Sequence, residues 1–193
     1  MAHVVDVAAY ILEDLGSVST MKLQKLAFYS QAYYLAEHGA TLFPEAFEAW
    51  ANGPVAPDLF RRHRGEFVIA RGFFGPVSEG AFSKDEQEAV DFVVSRLRDW
   101  TGAQLSELTH SETPWRSARE GLAPNERSHR PIAVDCMKSY YCLLYTSSSS
   151  STAPSKSPAA SPTTSSAAFR RLVKSGKAVC PVLGRSPRVP FLY

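Results

Sequence analysis

The stretch STMKLQKLAFYSQAYYLAEHG, residues 19–39, decides the fold. Ser19 or Thr20 is placed to cap a helix start, and Gly39 follows the last turn. Between them Leu23, Leu26, Ala27, Ser30, Tyr33 and Tyr34 recur at three-to-four spacing, which predicts one buried stripe. Lys22, Gln24, Lys25 and Gln31 fall largely off that stripe. Two readings of the aromatic residues Tyr29, Tyr33 and Tyr34 stay open. They are core side chains with wetted hydroxyls, or they form an aromatic face, flanked by Lys and Gln, that binds another protein.

Moving outward, Val4, Val5, Ala8, Ala9, Ile11, Leu12 and Leu15 have the same helical period and stop at Gly16. After the central helix comes EAWANGPVAPDLF, residues 48–60. Phe47 and Trp50 are expected on a short strand. Asn52-Gly53-Pro54 is expected to turn the chain, with glycine free to take positive φ, and Pro57 to open a helix through His63. Arg61, Arg62, His63 and Arg64 read as a solvated basic helix end. EFVIARGFFGPV, residues 66–77, reads as short extended segments. Ser83 and Glu86 have capping-box spacing and begin a helix carrying Ala89, Val90, Phe92, Val93, Val94, Leu97 and Trp100, expected to end at Gly102. Shorter helices are expected at about 103–110, 114–120 and 135–141. The fold class is therefore mainly α: a compact multi-helix single domain with a small β-hairpin or short strands, followed by a disordered tail.

The tail is marked by composition. Residues 1–145 hold 14 Lys and Arg against 19 Asp and Glu, whereas residues 146–193 hold 7 basic residues and no acid. Thr146 to Ala168 is almost wholly Ser, Thr, Ala and Pro, which cannot bury enough apolar area to order itself. The domain is placed at 1–145 and a low-complexity basic tail at 146–193. Cys142-Leu143-Leu144-Tyr145-Thr146-Ser147 resembles the translated end of a transposon used to prepare sequencing libraries, so residues after about 141 are given no function. The acidic body argues against nucleic-acid binding, which needs a basic face. The absence of a secretory pattern, of a membrane-length apolar run and of paired cysteines (Cys136, Cys142 and Cys180) gives a cytoplasmic expectation.

Motifs for catalysis are sparse. His110-Ser111-Glu112 is half of a zinc-deaminase signature, but its P-C-x-x-C half is missing, so no metal site is assigned. The triplet reads instead as a polar loop before a helix beginning at Thr113-Pro114. Cys136 lacks any nucleophile signature and reads as a half-buried structural cysteine, and no phosphate or dinucleotide loop is present. No cofactor and no catalytic residue are expected.

Three blocks in order resemble one family. Met21-Lys22-Leu23-Gln24-Lys25-Leu26 through Ala36, Glu45 through Phe60 with Trp50, Gly53, Pro54 and Val55, and Leu108-Thr109-His110 with Pro114-Trp115 resemble the Panacea antitoxin domain, a SocA-like, phage-associated family. The resemblance covers about residues 5–141. It implies an antitoxin of a bacterial or phage toxin–antitoxin pair that neutralises a cognate toxin by direct binding. The alternative is an adaptor that delivers a bound partner to an ATP-dependent protease. Candidate partner-binding or structural residues are the motif positions Lys22, Leu23, Gln24, Lys25, Leu26, Tyr29, Gln31, Tyr33, Trp50, Gly53, Pro54, Val55, His110, Pro114 and Trp115. Trp50 is expected to face the core.

Overall fold

The computed structural model describes residues 2–146. Helix α1 spans Val4–Leu15, β1 Ser17–Ser19 and α2 Thr20–His38. The hairpin strands β2 and β3 are Glu48–Trp50 and Gly53–Val55, and α3 is Pro57–His63. Then come β4 (Val68–Ala70), α4 (Lys84–Leu97), α5 (Gly102–Ser111), α6 (Thr113–Ala118) and α7 (Val134–Thr146). The mainly helical class read from the sequence is the observed one. The expected tail lies, Thr146 apart, outside the described residues.

The axis of the fold is α2, which packs against α1, α4, α5 and α7. Ser19 caps it by accepting from the Lys22 amide, and Gly39 ends it in the left-handed region at φ 70°. The single-stripe expectation is corrected here. Every residue from Leu23 to Ala32 is buried, because helices surround α2 on more than one side. Gln24, Lys25 and Gln31, assigned to an outer flank, are therefore inside at 3%, 1% and 3% exposure. Tyr33 and Tyr34, assigned to the buried stripe, are only half-buried and stack on Phe92 and His38. Around Phe28 the core is aromatic, with edge contacts to Tyr29, Phe47 and Tyr141 at centroid distances of 5.5, 5.2 and 6.3 Å.

Two small antiparallel ribbons complete the domain. In one, β1 pairs with β4 with Val18 opposite Ile69; in the other, β2 pairs with β3 with Trp50 opposite Gly53. The hairpin reverses at Ala51-Asn52, one residue earlier than expected, and Gly53 enters β3 already at φ 100°. Beyond the hairpin, β2 is covered by residues 130–132, since the Ala49 amide donates to the Arg130 carbonyl and the Ile132 amide to the Phe47 carbonyl.

The Ser83–Glu86 capping box forms as expected, but α4 stops at Leu97 and Gly102 does not terminate it. Gly102 instead opens α5 under a second box made by Thr101 and Gln104. It is a glycine because α5 meets α2 end-on: a Cβ there would lie 3.0 Å from the Lys22 amide nitrogen and 3.1 Å from Ser19 Oγ. At the other end of the domain α7 runs past the expected residue 141 to Thr146.

Candidate functional site: a side-chain clamp on the hairpin

The turn of the β2–β3 hairpin and its flanks carry backbone carbonyls that the two short strands cannot pair among themselves. Buried carbonyls must find donors, and here side chains from the surrounding helices supply them one after another. Arg119 Nη1 donates to the Ala49 carbonyl at 3.0 Å, and Trp115 Nε1 to the Trp50 carbonyl at 2.9 Å. His110 lies beside the Ala51 backbone, and its buried Nε2 has no hydrogen-bond partner among the described residues. Ser106 Oγ donates to the Asn52 carbonyl at 2.8 Å, and Lys25 Nζ to the Pro54 carbonyl at 2.9 Å. Gln24 then closes the series, its Oε1 accepting from the Ala56 amide at 2.9 Å. Five side-chain hydrogen bonds spread over residues 49–56 hold the hairpin at a fixed position on α2, α5 and α6.

The sequence motifs thus acquire physical jobs. Gln24, Lys25 and Trp115 belong to the clamp, and His110 backs it by stacking on Trp115. Gln31 performs the same operation elsewhere on α2: its Oε1 accepts from the Leu42 and Phe43 amides at 2.8 and 3.2 Å, and its Nε2 donates to the Phe43 carbonyl at 3.1 Å. Leu23, Leu26 and Pro114 are buried packing residues. Lys22 is half-buried and donates to the Arg98 carbonyl. Gly53, Pro54 and Val55 form β3 and are buried. His110 stacks on Trp115 with ring centroids 4.0 Å apart. Trp115→Phe keeps an aromatic face beside His110 but removes the donor to Trp50 and part of the ring, so it is expected to cost about 1–2 kcal/mol, read as a drop in the urea midpoint.

Burial sets the charge states inside the clamp. Lys25 has no carboxylate partner among the described residues, and burial pulls its ammonium down to about 7. His63, expected on a solvated helix end, is instead buried and lowered by desolvation. Its Nε2 accepts from Gln24 Nε2 at 2.9 Å, which requires the neutral ring. Behind the clamp Glu112 Oε2 accepts from the Tyr29 and Tyr141 hydroxyls at 3.1 and 2.7 Å, tying α2 to α7. Burial pushes the Glu112 carboxyl up to about 8 despite those two hydrogen bonds. His110 and Glu112 therefore do not converge on a common ligand position: one lies on an indole, the other on two buried phenols. Among the described residues no group of three or more His, Cys, Asp or Glu could hold a metal ion.

Sequence reasoning missed Arg119, Ser106 and the role of Glu112. Arg119 is 6% exposed, lies over the Trp115 ring and gives its other donors to the carbonyls of Ala123, Pro124 and Glu126. Nothing in its sequence surroundings marks it. Ser111-Glu112-Thr113 did mark a helix junction, and Glu112 is indeed the residue between α5 and α6.

In front of the clamped hairpin lies an open groove of about 610 Å³, between the hairpin, α3, the start of α2 and residues 127–129. Trp50 forms one wall. It is half-buried, edge-on to Phe60 at 4.8 Å, and its Nε1 donates to Glu48 Oε2 at 2.7 Å. It is neither sealed in the core nor fully exposed, which refines the core expectation.

The helical domain thus fixes a hairpin whose Trp50, Ala51 and Asn52 line an open groove. Residues 23–116 match the family model described as antitoxin SocA-like, Panacea domain. "Antitoxin SocA" of Caulobacter vibrioides (strain NA1000 / CB15N) is 26% identical over 119 residues, covering 56% of this chain and 63% of the relative. The chain thus spans a little under two thirds of that relative's length. No solved structure matches it. The matched segment contains every motif residue of the clamp from Gln24 to Trp115. No helix among the described residues is long and apolar enough to cross a membrane.

Proposed function

We propose that this protein is an antitoxin that neutralises a toxin by direct binding, with the groove-facing side of the clamped hairpin as the contact surface. The observation that carries this reading is the division of labour around residues 49–56. The motif side chains Gln24, Lys25 and Trp115 each hydrogen-bond the hairpin backbone, so they fix its shape and leave Trp50, Ala51 and Asn52 lining the groove. Association is strongest when the contact surface is already ordered, since less conformational entropy is lost on binding. Half-buried aromatic rings such as Trp50 and Phe60 are the residue type that concentrates interface energy. The family-model match of residues 23–116 and the likeness to a protein named as an antitoxin support the same role.

The test is co-expression with the protein encoded beside this chain. Growth should be arrested by that neighbour alone and restored when this chain is present, with the two recovered as a complex from the cells. Failure of the wild-type chain to restore growth overturns the reading. If growth returns while the neighbour disappears faster than in cells lacking this chain, the protein acts by delivery to a protease instead.

A further inference from the structure

We propose that the groove is a receptor for an acidic segment of the partner protein, with Arg64, Arg127 and Lys25 taking its carboxylates around an apolar side chain laid against Trp50 and Phe60. This deepens the antitoxin reading and rests on it for the statement that the partner is a toxin.

The charge pattern is the first support. Residues 1–145 carry more acid than base, 19 against 14, yet the groove lining holds Lys25, His63, Arg64, Arg127 and His129 and no carboxylate. Glu48 lies just behind this lining and offsets His129, its Oε2 accepting from His129 Nδ1 at 2.8 Å and from Trp50 Nε1 at 2.7 Å. That leaves Arg64, Arg127 and Lys25 as the groove's unpaired bases among the described residues. Arg64 and Arg127 are exposed and form no ion pair with the described residues. The sign of the surface is thus inverted locally, which steers an oppositely charged segment and disfavours others.

Lys25 is the second support. It is 1% exposed, lines the groove floor, and hydrogen-bonds the Pro54 carbonyl, while an ammonium has three donors. Burial without an anion costs this ammonium much of its charge near neutral pH, and a partner carboxylate reaching the floor would restore the charge on binding. Three further observations narrow the occupant. The groove volume of about 610 Å³ accommodates a few side chains and not a domain. The chain's own residues 146–193 carry 7 basic residues and no acid, so they are repelled from it. An extended nucleic acid would have to continue from the groove onto the acidic remainder of the body.

The experiment is fluorescence anisotropy on the full chain with three labelled probes. These are a peptide in which Asp and Glu alternate with Leu and Phe, the same peptide with Asn and Gln replacing the acids, and a single-stranded oligonucleotide. The wild type should bind the acidic peptide at least about tenfold more tightly than the amide peptide, and added salt should shrink the difference. The double variant R64E/R127E should abolish that preference while keeping its circular dichroism and thermal midpoint, because both side chains are exposed. Equal affinity for the two peptides, no binding of the acidic one, tighter binding of the oligonucleotide, or unchanged acidic binding in the double variant overturns the inference. So does a dimer in sedimentation velocity that R64E/R127E dissolves, since the occupant would then be a second copy. The growth assay separates the two levels. If R64E/R127E restores growth as well as wild type, the groove assignment fails and the antitoxin reading stands. If wild type fails to restore growth but the peptide preference holds, the antitoxin reading fails alone.

Discussion

Glu112→Ala is expected to destabilise the domain by about 3 kcal/mol, since each buried hydroxyl deprived of an acceptor costs about 1–3 kcal/mol and the deleted side chain leaves a cavity. The hydroxyls are those of Tyr29 and Tyr141, both buried, and both donate to Glu112 Oε2. One comes from the central helix and the other from α7, so the substitution loosens the seam between them. Urea unfolding reads the loss directly, and a change below about 1 kcal/mol would mean that the tyrosines regain acceptors by relaxation. Glu112→Gln keeps an acceptor in place and tests the charge separately. The folded carboxyl is raised to about 8 from 4.5, so between those values the folded state binds more protons than the unfolded chain. The stability this supplies is complete below 4.5, falls as pH rises through the window, and is gone once pH passes about 8. Lys25 acts with the opposite sign: lowered to about 7 from 10.5, it makes stability rise with pH across that interval in both proteins. The wild-type-minus-variant difference cancels the lysine and isolates Glu112. It should slope downward from acid to neutral pH, and a flat difference would mean that the folded carboxyl ionises at its ordinary value.

Legibility followed periodicity and caps. The helices α1, α3 and α4 were readable because Gly16, Pro57 and the Ser83–Glu86 pair are punctuation with a local mechanism. The Thr101–Gln104 box was equally present in the sequence, yet Gly102 drew attention as a terminator when its actual role is close approach to α2. What could not be read was the inside of α2. Gln24, Lys25 and Gln31 look like a solvated flank under any period rule, because hydropathy scores the side chain and not the carbonyl it will meet. Their burial depends on the loop at residues 42–43 and on β3 with Ala56, whose position is a tertiary fact. Arg119 is the extreme case, a buried guanidinium satisfied by carbonyls from β2 and from the loop at residues 123–126. The family resemblance singled out residues on α2, α5 and α6 without indicating that Gln24, Lys25 and Trp115 hydrogen-bond the same hairpin. That convergence emerges only when the five contacts to residues 49–56 are followed in order.

Gly53→Ala is expected to cost about 4 kcal/mol, the sum of about 1–3 kcal/mol for a left-handed backbone and a similar term for overpacking. Gly53 sits at φ 100°, and a Cβ built on it lies 2.7 Å from Lys25 Cε, 2.8 Å from Thr109 Oγ1 and 2.9 Å from Lys25 Nζ. Lys25 can yield only by giving up its hydrogen bond to the carbonyl of the next residue, Pro54. Gly65→Ala is the internal control, because Gly65 has nearly the same angle, φ 96°, with nothing within 4 Å of its added Cβ. It should show the backbone term alone, about half the loss. A double-mutant cycle then assigns the remainder. Gly53→Ala should cost less in a Lys25→Ala background than in the wild type, since the shortened side chain no longer meets the new methyl group. Equal costs in the two backgrounds would place the damage in the backbone and remove Lys25 from the explanation. The same substitution carries a functional consequence. Displacing Lys25 releases the Pro54 carbonyl, so β3 shifts relative to α2 and the groove wall at Trp50 and Val55 moves with it. Loss of growth rescue by Gly53→Ala at a temperature where the variant remains folded would therefore tie the hairpin's fixed position to binding. Full rescue under those conditions would show that the partner tolerates a displaced hairpin.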